Sequence, residues 1–243
     1  MILRNSMRRL ALLLSILMTI SVVGYMPTAS AATYKSMSVG SSGAAVKKLQ
    51  AGLASKGYLS KTGVTGKFAS GTKTAVRKFQ MFNGLAVSGI ANADTQKKLF
   101  SSGGRSHPKV SGEPWGKSGI DSAFPNGSTA QIIDLATGSR INIRRLFGHN
   151  HCDVEPAELT DTKRLKNVYG GKWSWDSRGV LLIAGGKYYA AAINSMPHGD
   201  QISTTNGYPG QFCLHLNDSK THGSNKENAY HQANVKKVYN YFN

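Results

Sequence analysis

The sequence predicts an α+β protein in two domains, a small three-helix N-terminal module followed by a mostly antiparallel β domain with peripheral helices. Three observations carry that expectation. Residues 36–100 contain three amphipathic stretches separated by glycines, and residues 101–117 are rich in Gly, Ser and Pro with hardly an apolar side chain. Residues 118–243 contain two pairs of apolar runs, each pair joined by a tight-turn sequence. That second part is long enough to bury a core of its own.

Ahead of both lies a stretch with the layout of an export signal, residues 1–31. Arg4, Arg8 and Arg9 open it, an apolar run extends from Leu10 to Gly24, and Ala29-Ser30-Ala31 offers small residues for cleavage. The run is short for a membrane span. The expected product is secreted and associated with the cell wall, with no stable membrane insertion once the signal is cleaved. The 243-residue chain has a formal charge of +18, and removing Arg4, Arg8 and Arg9 leaves +15. Such a charge calls for an anionic neighbourhood. Export favours wall polymers such as teichoic acids and peptidoglycan carboxylates over nucleic acid, and a monomer is expected.

Within the module, Val46, Leu49 and Leu53 form one stripe on a helix expected over 44–55, with Gly57 to end it. A second helix is expected over 71–82, burying Ala75, Val76 and Phe79. A third, over 92–100, starts on an Asn92 cap and buries Leu99. The residues Val46-x-x-Leu49-Gln50-x-x-Leu53, Gly57-Tyr58, Thr65-Gly66-x-Phe68, Thr72-x-x-Ala75-Val76-x-x-Phe79-Gln80, Gly84-Leu85, Gly89 and Thr95-x-x-x-Leu99 resemble the peptidoglycan-binding domain 1 family. The resemblance covers essentially the whole unit and implies a wall-docking module without catalysis. Gln50 and Gln80 read either as helix-surface amides or as ligand contacts. Residues 101–117 have the composition of a flexible tether, which would raise the local concentration of the second domain at the wall.

In the second domain, residues 130–135 and 140–146 read as one hairpin and 179–183 with 187–193 as another. Residues 156–168 read as a helix that tolerates Pro156 in its first turn. Residues 212–216 form a short apolar strand, and 227–241 a closing helix. Residues 149–155 look like a polar loop ahead of the 156–168 helix, and Trp173 and Trp175 like buried aromatics or the lining of a glycan groove.

The candidate chemistry lies in Met196-Pro197-His198-Gly199 and Gly210-Gln211-Phe212-Cys213-Leu214-His215. A glycine-rich loop that folds back can bring the His198 imidazole to the Cys213 thiol, which needs a base nearby to act as a nucleophile. Cys152 is the other cysteine, and a disulfide between the two competes with a free thiol. The stretch resembles, more distantly, the L,D-transpeptidase (YkuD) catalytic family, whose pattern is His-Gly, a loop, then Ser/Thr-His-Gly-Cys. His198-Gly199 matches the leading pair and Cys213 the nucleophile, whereas Gly210-Gln211-Phe212 departs from the residues before the thiol.

The resemblance implies cofactor-free acyl transfer on peptidoglycan stem peptides. His198 would be the base and Cys213 the nucleophile. Backbone amides near Phe212 and Cys213, with Gln211, would serve the oxyanion. His215 would orient the base or bind substrate carboxylate. Two alternatives stand beside it. One is a wall-binding protein without catalysis. The other is a zinc peptidase, because His149-x-x-x-Asp153 and Cys213-x-His215 faintly resemble the His-x-x-x-Asp and His-x-His ligands of zinc wall endopeptidases; His149, Asp153 and His215 would then hold the Zn.

Overall fold

The computed structural model describes residues 34–243, so the leader expected at residues 1–31 lies outside the described residues. The described residues form six α-helices and six β-strands, and none of these helices is long and apolar enough to cross a membrane.

Three helices make the N-terminal module: α1 (Ala44–Ser55), α2 (Ser70–Phe82) and α3 (Ala93–Phe100). Val46, Leu49 and Leu53 on α1 meet Ala75, Val76 and Phe79 on α2 in a buried apolar core. The Asn92 carboxamide oxygen accepts from the Thr95 amide at 2.9 Å and so caps α3. Gln50 and Gln80 are neither surface amides nor exposed contacts. Both are fully buried, and each pins a loop to its helix. Gln50 donates to the Lys67 carbonyl at 2.9 Å and accepts from the Gly66 amide at 2.7 Å. Gln80 does the same with the Ile90 carbonyl and the Gly89 amide, both at 2.9 Å. An apolar residue at either position would leave those backbone groups unpaired in the core.

The segment 101–117, whose composition reads as a flexible tether, is laid along the rest of the protein. Val110 is fully buried, and Ser111 bridges parallel to Tyr189, donating to the Tyr188 carbonyl and accepting from the Ala190 amide at 2.8 Å each. Trp115 donates its backbone N–H to the Asn217 carbonyl at 2.7 Å. The module itself touches the β domain. Arg77 on α2 donates to the carbonyls of Leu135 and Ala136 at 2.9 and 3.0 Å, and Arg140 reaches back to the Met81 carbonyl at 2.7 Å. Phe82 packs edge-on against Tyr188 and Phe242, at 5.0 and 5.2 Å between ring centres. One apolar cluster therefore runs from α1 and α2 into the outer face of the sheet.

That sheet is a closed antiparallel barrel of β1 (Thr129–Asp134), β2 (Arg140–Phe147), β3 (Cys152–Pro156), β4 (Arg178–Ala184), β5 (Lys187–Ile193) and β6 (Phe212–His215), in the order β1-β2-β3-β6-β5-β4. A one-turn helix α4 (Ile120–Ala123) precedes it, α5 (Leu159–Val168) follows β3, and α6 (Ala229–Phe242) closes the chain. Both expected hairpins form, β1 with β2 and β4 with β5. The polar run at 149–155 departs from the expected loop at its second half: residues 149–151 stay outside any strand, but Cys152–Pro156 form β3, and Pro156 ends that strand, so α5 starts only at Leu159. β3 is buried between β2 and β6, so its backbone groups are paired on both sides despite its polar side chains.

The barrel wall sorts β3 and β6 by parity. Cys152 pairs with Leu214 and Val154 with Phe212, and these four belong to the interior cluster. Asp153 pairs with Cys213, which places both on the outer face, joined there by His215 two residues on. Cys152 and Cys213 thus lie on opposite sides of one sheet, and both are free thiols. A disulfide between them would require one strand to slip by a residue and turn its whole apolar set outward.

Candidate active site

Cys213 stands on the outer wall of the barrel, 7 % exposed, and the loop after β5 brings His198 to it. The loop closes on itself through a two-bond bridge: the His198 amide donates to the Gln211 carbonyl at 3.0 Å, and the Gln211 amide returns to the His198 carbonyl at 2.8 Å. Gly210 makes this possible. Its φ is +130°, and a Cβ there would lie 2.7 Å from the His198 carbonyl oxygen. The rest of the loop is anchored from within by Asn206, whose carboxamide donates to the Pro156 carbonyl at 2.9 Å and accepts from the Tyr208 amide at 2.9 Å. Buried Glu155 accepts from the Ser203 amide at 3.1 Å.

His198 Nε2 lies 3.2 Å from Cys213 Sγ. Its Nδ1 lies 2.8 Å from the Met196 carbonyl, which can only accept, so the ring proton of the neutral imidazole sits on Nδ1. Nε2 is then the free acceptor and faces the thiol, the arrangement of a general base. Trp175, expected as buried or groove-lining, is an exposed ring tilted over the His198 imidazole at 4.9 Å. Trp173 is partly buried against Tyr208.

A second imidazole, His151, approaches the sulfur from the position just before β3. The β2–β3 turn places it, and Gly148 is required there: with φ +116°, any side chain would run into the His151 carbonyl. His151 Nδ1 donates to the Lys220 carbonyl at 2.7 Å, which turns Nε2 toward Asp153 and Cys213. Nε2 lies 3.2 Å from Asp153 Oδ1 but is not aligned for a hydrogen bond. His222 donates to the same Oδ1 at 2.9 Å from the solvent side. Below His151 the imidazoles stack, His151 on His215 at 4.5 Å and His215 on His231 at 4.0 Å.

The charges follow from this packing. Burial pushes the Cys213 thiol up, but His151 and His198 beside it prevail and bring it down to about 7. Burial also resists charge on His151, yet the Asp153 carboxylate and the Cys213 sulfur raise it to about 10. His198 is raised as well, chiefly by its bond to Cys213. Asp153 stays ionised despite its burial because His151 and His222 hold it below the usual carboxylate range. Around neutrality Cys213 is therefore partly ionised beside two imidazoles that favour its thiolate, and the proton equilibria belong to the group rather than to one residue. Cys152, inside the barrel, is pushed by burial up to about 12 and is inert.

Of the residues singled out in sequence, Cys213, His198, Gly199 and Gln211 come together. Gln211 is 4 % exposed and its side chain packs against Gly199. His215 is 1 % exposed and sealed between two imidazoles, so it cannot bind a substrate carboxylate. Burial, followed by the charges of His231 and His151, presses it down to about 2, leaving a neutral ring that supports His151. The zinc trio does not converge. His149 is on the surface, with its carbonyl accepting from Trp115 Nε1 at 2.8 Å, and His215 has no part in the group around Asp153. The group that does converge is His151, Asp153, Cys213 and His222. The signal for it in the sequence is the alternation His151-Cys152-Asp153-Val154-Glu155, polar on one face and apolar on the other, which is the period of a strand.

Comparison with known proteins bears on the module. No curated protein matches the chain. Among solved structures, the N-terminal domain of SleB aligns at 37% identity over 28% of this chain and 90% of that one, with a TM-score of 0.27. A fused Zn-dependent amidase/peptidase/peptidoglycan-binding domain-containing protein from Clostridium acetobutylicum aligns at 25% identity, with a TM-score of 0.28. That alignment covers 46% of this chain and 56% of the other. Residues 42–99, which span the three-helix module, match the family described as "Putative peptidoglycan binding domain".

Proposed function

We propose that the protein docks on peptidoglycan through its helical module and performs cysteine-dependent acyl transfer on stem peptides from the outer wall of the barrel. Support for wall binding comes from the domain family of residues 42–99. Support for catalysis comes from one observation above all: a free, slightly exposed Cys213 thiol 3.2 Å from an imidazole nitrogen whose tautomer is fixed as an acceptor. The distant resemblance to the L,D-transpeptidase catalytic family agrees with it.

In the proposed reaction His198 Nε2 takes the Cys213 proton, and the thiolate attacks a backbone carbonyl of the stem peptide. Amide donors near Phe212 and Cys213, together with the Gln211 side chain, stabilise the oxyanion. The C–N bond breaks as His198 returns the proton to the leaving amine. An amine of a neighbouring stem, or water, then attacks the thioester and frees the sulfur. Asp153 and His215 act through His151, the former by charge and the latter by stacking. Trp175 forms an apolar wall beside the base for the incoming peptide. Because the module and the barrel share contacts, the docked glycan strand and Cys213 keep a fixed relation.

Purified sacculi incubated with the protein and then digested to muropeptides test this. New cross-linked or trimmed stems are expected with the wild type and none with Cys213→Ala. Sedimentation with sacculi and an unchanged muropeptide profile would leave wall binding alone.

A further inference from the structure

We propose that His151, Asp153, Cys213 and His222 form a binding site for a thiophilic divalent cation, with Zn2+ the best match to the donor set, and that its occupation withdraws the Cys213 sulfur from acyl transfer. The silencing rests on the acyl-transfer reading; the binding does not.

Each of the four residues offers one ligand atom, and these atoms lie within 4.8 Å of one another. A tetrahedral zinc at the usual bond lengths needs ligand atoms about 3.4–3.6 Å apart, so the close contacts of Asp153 Oδ1 with His222 at 2.9 Å and His151 at 3.2 Å would lengthen while the wider separations close. Two polar atoms of the group make no aligned hydrogen bond. His151 Nε2 and Asp153 Oδ2 are buried without a hydrogen-bond partner, on residues that are 1 % and 0 % exposed. Buried polar atoms call for a partner, and a cation held between these two residues would supply one to both.

His151 is also held as a metal ligand is held: its Nδ1–H goes to the Lys220 carbonyl at 2.7 Å, which fixes the ring and leaves Nε2 for the cation. His222, with its side chain half exposed, gives the ion a way in. The sulfur, two imidazoles and one carboxylate favour zinc over magnesium or calcium. All four positions of the cation are then filled by protein, and no site remains for the water that a zinc hydrolase activates. Loading would release the Cys213 proton and any proton on the two Nε2 atoms to solvent. His198 stays outside this sphere, and only its protonated form can donate from Nε2 to the metal-held thiolate.

The test is a Co2+ titration of the full mature chain, reduced and stripped of metal. One equivalent should give the visible bands of tetrahedral cobalt together with a thiolate-to-cobalt charge-transfer band, and Zn2+ should erase both. Cys213→Ser should remove the charge-transfer band. Asp153→Asn and His222→Gln should weaken binding at least about tenfold. Cys152→Ser, inside the barrel, should leave the spectrum unchanged, and circular dichroism checks that each variant is folded. The absence of a tetrahedral spectrum at one equivalent, or a charge-transfer band that survives Cys213→Ser, overturns the site. If the spectrum forms as described but the metal-free protein never alters sacculi, the metal site stands and the acyl-transfer reading falls.

Discussion

Alkylation of Cys213 by iodoacetamide in the metal-free protein should report the charge balance of the site directly. The two imidazoles bring the thiol to about 7 from an ordinary 9.0. Near pH 7 about half of the Cys213 population is thiolate, against roughly one part in a hundred for an unperturbed thiol, a gain of about 50-fold in reacting species. A less basic thiolate is a weaker nucleophile, and with a Brønsted slope of about 0.4–0.5 the shift costs about 6- to 10-fold. The net expectation is labelling about 5- to 8-fold faster than a comparably accessible ordinary thiol near neutrality, and a slower plateau at high pH. Limited exposure lowers the absolute rate but does not move the midpoint, which should fall at about 7. Either His198→Ala or His151→Ala removes one positive neighbour and should move that midpoint up toward 9.0, whereas native Cys152 should stay unlabelled. A wild-type midpoint near 9.0, or one that neither substitution moves, refutes the reasoning.

Three other outcomes follow from the same contacts. Gly210→Ala forces a Cβ against the His198 carbonyl at a positive φ, a strain of about 1–3 kcal/mol; it should cut turnover on sacculi about 100-fold by displacing the base, with circular dichroism unchanged. Burial, aided by neighbouring charge, holds His215 and His231 neutral, at about 2 and about 4. Below the ordinary 6.5 the unfolded chain binds more protons than the folded one, so stability should fall with acidification from there, by up to about 1.4 kcal/mol per pH unit for each histidine, as read by urea midpoints. Arg140→Ala removes the bond to the Met81 carbonyl and should loosen the module by about 1–2 kcal/mol, opening the 101–117 segment to proteases; unchanged resistance would count against docking.

What could be read from the chain alone was local. The two hairpins announced themselves because turn residues and alternating apolar runs sit within a dozen positions, as in β4 and β5 around Gly185-Gly186. The approach of His198 to Cys213 was legible for the same reason, since one glycine-rich loop carries both. The partners at long separation were not: His222 and His151 meet Asp153 and Lys220 across 69 residues. β3 was hidden by its polar side chains, which in isolation look like a loop and become a strand only because β2 and β6 pair with it. Gln50, Gln80, Arg77 and Arg140 look like ordinary surface residues in sequence, because nothing local shows that the carbonyls they satisfy belong to other segments.

The most direct measurement is intact-protein mass spectrometry of the wild type quenched in acid during incubation with a synthetic stem tetrapeptide. A thioester is expected as an added acyl mass that maps to the peptide containing Cys213, that accumulates when no acceptor amine is supplied, and that is missing from Cys213→Ala. Product formation without such an adduct, or with the adduct on any other residue, would contradict the account.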